Sequence, residues 1–354
     1  MFNIMSKQRD NLIDILKGLA ILAIVQAHTS KILPKSGFPL AEFGMTFCVT
    51  SFVFAAGWLF SGISDSGSLY KHIGKRIVKL WWLFFSYSIG MLLISKALIY
   101  LGVLDSYYSV GFVETFYNAL LLNNDQPLLY PMWFVPMFVL ASCFFAAAFC
   151  FAQQRKNKNL WHCIFFMCFA FVGAYSYLIG YIAPYYANAA ILSVTLMYLG
   201  YFAGRNKELA KRCITWWGTV IALCFALFVT FMDGGTIDFS SHYIISPVLF
   251  FPLAIAGIYM AMGFAKGLGK LPYISDAVAL CGRNSFHIMA MHLLVFKLMD
   301  YVWGSVNGIS PAVFQRFPVA FDFWYIYVVL GTAICVAVAE LGKKILAFSK
   351  SVHH

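Results

Sequence analysis

Asp14, Lys17 and His28 have the types and the spacing for acid–base chemistry. They punctuate the run Asp14-Ile15-Leu16-Lys17-Gly18-Leu19-Ala20-Ile21-Leu22-Ala23-Ile24-Val25-Gln26-Ala27-His28, an apolar segment long enough to cross a bilayer. An ionisable side chain in hydrocarbon costs roughly 2.5–3.5 kcal/mol or more, so such groups are rare there and usually functional. Lys17 and His28 are eleven residues apart. In a helix that is about three turns, which puts them on one face about 16 Å apart along the axis. Asp14 lies on nearly the same face. The stripe therefore presents a charged pair near one membrane surface and an imidazole well inside the span. A neutral imidazole is a proton acceptor near pH 7, and desolvation favours that form. The purely structural alternative is a histidine bonded to a neighbouring helix, with Asp14 and Lys17 as an interfacial ion pair and Lys17 snorkelling to the surface.

Three further groups could take part. Lys71-His72-Ile73-Gly74-Lys75-Arg76-Ile77-Val78-Lys79-Leu80-Trp81-Trp82 enters the third apolar run. Arg76 and Lys79, three apart, share a helix face and could clamp phosphate, with Lys75 beside them. An ordinary positive anchor with an aromatic belt explains the same residues. Pro131-Met132-Trp133-Phe134-Val135-Pro136 opens the fourth run; alone it is an interfacial anchor. Gly282-Arg283-Asn284-Ser285-Phe286-His287-Ile288-Met289-Ala290-Met291-His292 enters the ninth. Ser285 and His292, seven apart, share a face, and His287 lies about 140° around from His292. Here the structural alternative is a cap at Asn284 or Ser285 and an interhelical bond at His292.

The elements that must position these groups are transmembrane helices. The 354 residues are 62% hydrophobic and 11% charged, where soluble domains carry near 25% charge. Mean hydropathy is +0.78. Apolar runs near 11–31, 41–63, 77–101, 131–152, 159–179, 186–204, 213–232, 244–265, 283–303 and 323–346 predict an all-α polytopic bundle of about ten spans. We read residues 1–354 as one integral-membrane domain. The first run contains Asp14 and Lys17 and is too long for a cleavable signal, so it reads as a retained span.

Loop charge predicts the orientation. Basic residues cluster in alternate loops: Lys71, Lys75 and Arg76; Arg155, Lys156 and Lys158; Arg205, Lys207, Lys211 and Arg212; Lys266 and Lys270; and the tail's Lys343, Lys344 and Lys350. The opposite loops hold Asp105, Glu114 and Asp125, then Asp233 and Asp238. Both termini are therefore expected in the cytoplasm. The net charge of +11 follows from this topology and does not indicate nucleic acid as a partner; membrane lipids are the expected surroundings. The nine cysteines contain no CxxC pair and the eight histidines no HExxH cluster, so no disulfide framework and no metal site is expected. The longest external loop, 102–130, holds Tyr107, Tyr108, Tyr117 and Tyr130, and its 112–121 stretch predicts an interfacial amphipathic helix.

Taken in order, these motifs resemble the integral-membrane acyltransferase 3 family, in particular its sugar O-acetylase branch. That family's first helix has a basic residue, ten residues and a histidine, matched here by Lys17 and His28, with its acidic position at Asp14. Its second helix resembles Phe52-Val53-Phe54-Ala55-Ala56-Gly57-Trp58-Leu59-Phe60. Its basic pair is matched by Arg76 and Lys79, its Trp-Phe motif by Trp133-Phe134, and its late pattern by Asn284, Ser285 and His292. The likeness covers nearly the whole chain. Three departures stand out: Cys48-Val49-Thr50 where the family often has His-Met-Pro, Ala56-Gly57 where it often has Ser-Gly, and Arg–Lys in place of Arg–Arg.

The resemblance implies a multi-pass enzyme of a bacterial cytoplasmic membrane. It would move an acyl group, in the first instance acetyl, from cytosolic acyl-CoA to a hydroxyl of a cell-envelope glycan or its lipid-linked precursor. His28 would act as the base, aided by Asp14 and Lys17, while Arg76, Lys79 and Lys75 would hold the CoA phosphates. A transporter or flippase with a proton-linked histidine is the alternative; no inverted repeat or paired broken helix supports it. A purely structural membrane component leaves the Lys17–His28 stripe without a role.

Overall fold

The computed structural model describes residues 10–30, 39–63, 65–233, 237–244, 246–310, 315 and 323–352. Lys31, the last residue of the first expected span, and the side chains of Asp233 and Lys350 lie outside the described residues. The chain is a helical membrane bundle. Its helices are α1 (Asn11–Ser30), α2 (Leu40–Met45), α3 (Cys48–Trp58), α4 (Ser66–Tyr100), α5 (Phe112–Leu120), α6 (Phe134–Gln153), α7 (Lys158–Leu178), α8 (Ala187–Arg205), α9 (Lys207–Cys213), α10 (Trp216–Asp233), α11 (Pro247–Leu268), α12 (Pro272–Arg283), α13 (Ser285–Val306) and α14 (Trp324–Val352). A two-residue antiparallel ladder pairs Ile237 with Ile244 and Asp238 with Tyr243.

Among the described residues eight helical segments are long and apolar enough to span a membrane, and α9 with α10, bent by 70°, makes a ninth. The remaining expected span, 283–303, the ninth along the chain, falls on α13, which is 22 residues long. It is less apolar because it carries His287, His292, Lys297 and Asp300. The third span starts earlier than its hydropathy suggests. Asp65 and Ser68 form a reciprocal capping box, so the basic stretch from Lys71 to Lys79 is helical and continuous with the span.

Two apolar cores meet along α1. Ile13 and Leu16 pack in one core with Val53 and Trp58 of α3, Phe145 and Phe149 of α6, Tyr198 of α8 and Phe250 of α11. Ile21 and Val25, farther along α1, pack in the other with Phe84 and Met91 of α4, Met132, Ile288 and Phe296 of α13, and Tyr327 and Cys335 of α14. Close backbone contact holds α12 on α1: a β-carbon on Gly282 would overlap the Asp14 carbonyl oxygen, and one on Gly18 the Val278 carbonyl oxygen. Small residues serve this purpose in membrane bundles, where helix association depends on packing. At the N-terminal end of α1, Asp10 accepts from the Trp58 indole at 3.0 Å and pairs with Lys207 at 3.2 Å.

Candidate active site

The seam between the two cores encloses a cavity of about 330 Å³. Among the groups singled out in the sequence, Lys17, His28, Arg76, Trp133 and Ser285 line it. These come from four separate helical segments, α1, α4, the 3-10 turn Pro127–Trp133, and α13 at its first residue, and Cys48 and Val49 of α3 line the cavity as well. The rest of the lining is mostly apolar, including Phe52, Phe134 and Phe138.

Lys17 and His28 mark two ends of one wall, three turns apart on α1. His28 occupies the last turn of that helix, closer to its end than the apolar run suggested. Lys17 Nζ lies 3.9 Å from Asp14 Oδ1. Asp14 is buried behind it and does not line the cavity. Arg76 reaches in from α4 with its guanidinium 4.7 Å above the Phe138 ring. Helices α4 and α6 run antiparallel here, since Gln154 donates to Ser66 at 3.4 Å. Arg76 therefore sits farther along α6 from the Tyr130–Trp133 end than Phe134 does. Lys75 and Lys79 take the exposed side of α4 and do not touch the cavity. Their register explains this: Leu80, four after Arg76, lines the cavity with it, whereas Lys75 and Lys79 are four apart on another face.

The imidazole of His28 is held in one tautomer by geometry. Its Nδ1 lies 2.8 Å from the Ile24 carbonyl oxygen, which can only accept, so Nδ1 carries the proton. His292 Nδ1 likewise lies 2.9 Å from the Ile288 carbonyl. His292 Nε2 is then a bare acceptor, and it lies 3.2 Å from His28 Nδ1. One arrangement satisfies all three contacts: His292 donates to its own helix, and the His28 Nδ1–H is shared between Ile24 and His292. In the neutral form of His28 this leaves Nε2 as the accepting nitrogen, the form a base requires. His292 is fully buried and lies against His28, outside the cavity lining. Asn284 is also fully buried. It donates to Glu340 at 2.9 Å and accepts from Lys343 at 2.6 Å, tying the start of α13 to α14.

Several groups at the site were not singled out as such from sequence. Tyr130 lies edge-on to His28, ring centroids 6.4 Å apart, and of the four loop tyrosines it is the one that lines the cavity. Asp238 and Ser240, from the segment before α11, line it too. Glu340 carried a usable signal, a carboxylate inside an apolar run, the same signal that marked Asp14.

The model of the acyltransferase 3 family, described as an acyltransferase domain, matches residues 10–340. The chain belongs to the acyltransferase 3 family. No curated protein and no solved structure gave a match in the other two comparisons. This membrane acyltransferase thus places its first-helix lysine and histidine, one basic residue of α4 and the tryptophan preceding α6 around a single cavity. The late histidine of the acyltransferase reaches that cavity through His28.

Proposed function

We propose that this acyltransferase carries an acyl group, most simply acetyl, from acyl-CoA to a sugar hydroxyl of a cell-envelope glycan or its lipid-linked precursor, in the cytoplasmic membrane of a bacterial cell. The observation that carries the reading is the shared cavity with cations toward one end and a base at the other. Acyl-CoA bears several phosphates on one end and its thioester on a long thin arm. Lys17 and Arg76 suit the phosphate end, with Lys75 and Lys79 on the exposed face of α4 adding to the local positive potential. The alternation of basic loops supports a cytosolic position for that end. A cavity of about 330 Å³ lies at the small end of ligand pockets, which favours an arm with a short acyl group over a whole nucleotide.

An alcohol has a pKa far above neutrality, so it needs a base as it attacks the thioester carbonyl. In the reading we favour, His28 Nε2 takes the hydroxyl proton while the alcohol oxygen forms its bond to the carbonyl carbon. The C–S bond breaks, and the departing CoA sulfur receives the proton from the His28 imidazolium. The imidazolium keeps its Nδ1–H on His292 Nε2 and the Ile24 carbonyl throughout, so the charge forms without rearrangement. Asp14 offsets the Lys17 charge at the cavity wall. The test is turnover of acetyl-labelled acetyl-CoA by purified protein in lipid nanodiscs with glycan acceptors. Label should appear on the acceptor as an alkali-labile ester with release of free CoA. A transporter would leave the thioester intact.

A further inference from the structure

The end of the cavity opposite the cations is built around a single carboxylate. Among the described residues that line it, Asp238 is the one acid. Its Oδ1 accepts the backbone N–H groups of Ser240 at 3.0 Å and Ser241 at 3.4 Å, and the Ser240 hydroxyl at 2.5 Å. Among the described residues the side-chain hydrogen bonds to Asp238 all go to Oδ1, while the Ser241 hydroxyl donates to its backbone carbonyl at 3.3 Å, so Oδ2 retains its accepting capacity. The Tyr130 hydroxyl donates to Ser240 Oγ at 3.1 Å. A polar chain thus runs Tyr130–Ser240–Asp238 and ends beside His28. The segment is fixed from its other side as well. His242 stacks on Tyr186, ring centroids 4.9 Å apart and planes within 7°, and Tyr186 packs on Trp133 at 5.1 Å. The result is a packed edge that offers one carboxylate acceptor, one hydroxyl pair and the Trp133 ring in the cavity that His28 lines.

We propose that Asp238 is a specificity-determining residue for the second substrate, binding an uncharged polyol and rejecting one that carries a negative charge near the reacting hydroxyl. This rests on the acyl-transfer reading above and names the acceptor end of the same cavity. Adjacent hydroxyls of a neutral sugar can donate to Asp238 Oδ2 and to Ser240 Oγ while the ring lies against Trp133. A carboxylate or phosphate brought to the same place meets Asp238 as a like charge in a largely apolar cavity, an arrangement that weakens binding strongly. The cavity is then polarised to sort its two substrates: the anionic donor suits the Lys17–Arg76 end, and the neutral acceptor suits the Asp238 end.

The experiment compares acetyl transfer from acetyl-CoA to methyl β-glucoside and methyl β-glucuronide by the purified full-length protein, wild type and Asp238→Asn. The readout is the ratio of the two kcat/KM values, which does not depend on how much of a preparation is folded. Asparagine keeps an oxygen for the Ser240 and Ser241 N–H groups, and Asp238→Lys serves as a charge-reversing second variant. The expected wild-type ratio is about tenfold or more in favour of the glucoside. It should fall several-fold in Asp238→Asn and reverse in Asp238→Lys. Equal use of both glycosides by the wild type, transfer to the glucuronide alone, or a ratio unmoved in both variants would overturn the assignment of Asp238 and leave acyl transfer standing. Acetyl-CoA cleavage that neither glycoside stimulates also overturns it. Absence of any thioester cleavage by the wild type would instead remove the acyl-transfer reading itself, and this inference with it.

Discussion

An imidazole works as a base only when one ring nitrogen is bare and aimed, and the pairing of His28 with His292 meets that requirement with two ordinary backbone carbonyls. His292 contributes by accepting the His28 Nδ1–H, most strongly once His28 has become an imidazolium. Removing it should therefore lower kcat without loosening the donor. A hydrogen bond to a charged group is worth roughly 1.5–3 kcal/mol, so His292→Ala should lose about tenfold or more in kcat while the apparent KM for acetyl-CoA stays within about twofold. His292→Gln, whose amide oxygen can still accept, should recover part of the loss. A variant defective in KM alone would show that His292 shapes the cavity and does not assist the base. The sequence made His28 and Lys17 legible because both lie on one helix, where a spacing of eleven reads directly as a shared face. The contact between His28 and His292 joins residues 264 apart, and no local spacing encodes it. Asp238 was visible as a loop charge, but only the fold brings it to the same cavity as His28.

At the scale of elements, α4 decides which basic residues can serve the donor. Its capping box starts the helix at Ser66, and from there the register turns Arg76 inward and Lys75 and Lys79 outward. Arg76→Ala should raise the apparent donor constant about tenfold or more, the cost of one charge-assisted phosphate contact. Lys79→Ala should change it less than Arg76→Ala, and most of its effect should vanish at high salt because exposed charges are screened. Equal losses in both variants at high salt would place Lys79 at the phosphates as directly as Arg76. The helix pair α1 and α12 supports the first stripe from behind. Any side chain at Gly282 meets the Asp14 carbonyl, so Gly282→Val should cost at least the roughly 1–3 kcal/mol typical of overpacking, read as a lowered Tm of the detergent-purified protein. An unchanged Tm would mean that α12 can lift off α1 freely. Hydropathy located these helices but misjudged their ends. The capped basic start of α4 looked like a loop, and the break between α2 and α3 at Thr46–Phe47 fell inside one apolar run.

For the whole molecule, the two cores joined along α1 explain why the site lies where it does: each core packs its own face of the helix, and the seam left between them is the cavity. Helix α13 also buries an ion pair away from that seam. Lys297 lies 3.9 Å from Asp300, which accepts from the Tyr327 hydroxyl at 2.7 Å, and Lys297 faces the Tyr108 ring at 5.7 Å. Burial pushes the Tyr108 phenol above its ordinary range, so that ring meets the ammonium as a neutral partner. These charges lower the hydropathy of the ninth span and are the reason α13 is not among the segments apolar enough to count as spanning by composition. Loop charge implies that both termini face the cytosol. In a background without native cysteines, Cys placed at Ser109 should react with an impermeant thiol reagent in intact cells, and Cys placed at Asn157 should not. The reverse pattern would turn the Lys17–Arg76 end outward and separate it from cytosolic acyl-CoA. The central claim is that His28 performs the proton transfer in this cavity, and the most direct measurement is acetyl transfer from labelled acetyl-CoA by purified wild type and His28→Ala, with CoA binding measured on the same samples. General-base catalysis is worth about 10²–10⁴-fold, so His28→Ala should retain about one per cent or less of the wild-type rate while binding CoA within about twofold; a variant that binds CoA normally and keeps a rate within about tenfold of wild type would contradict the account.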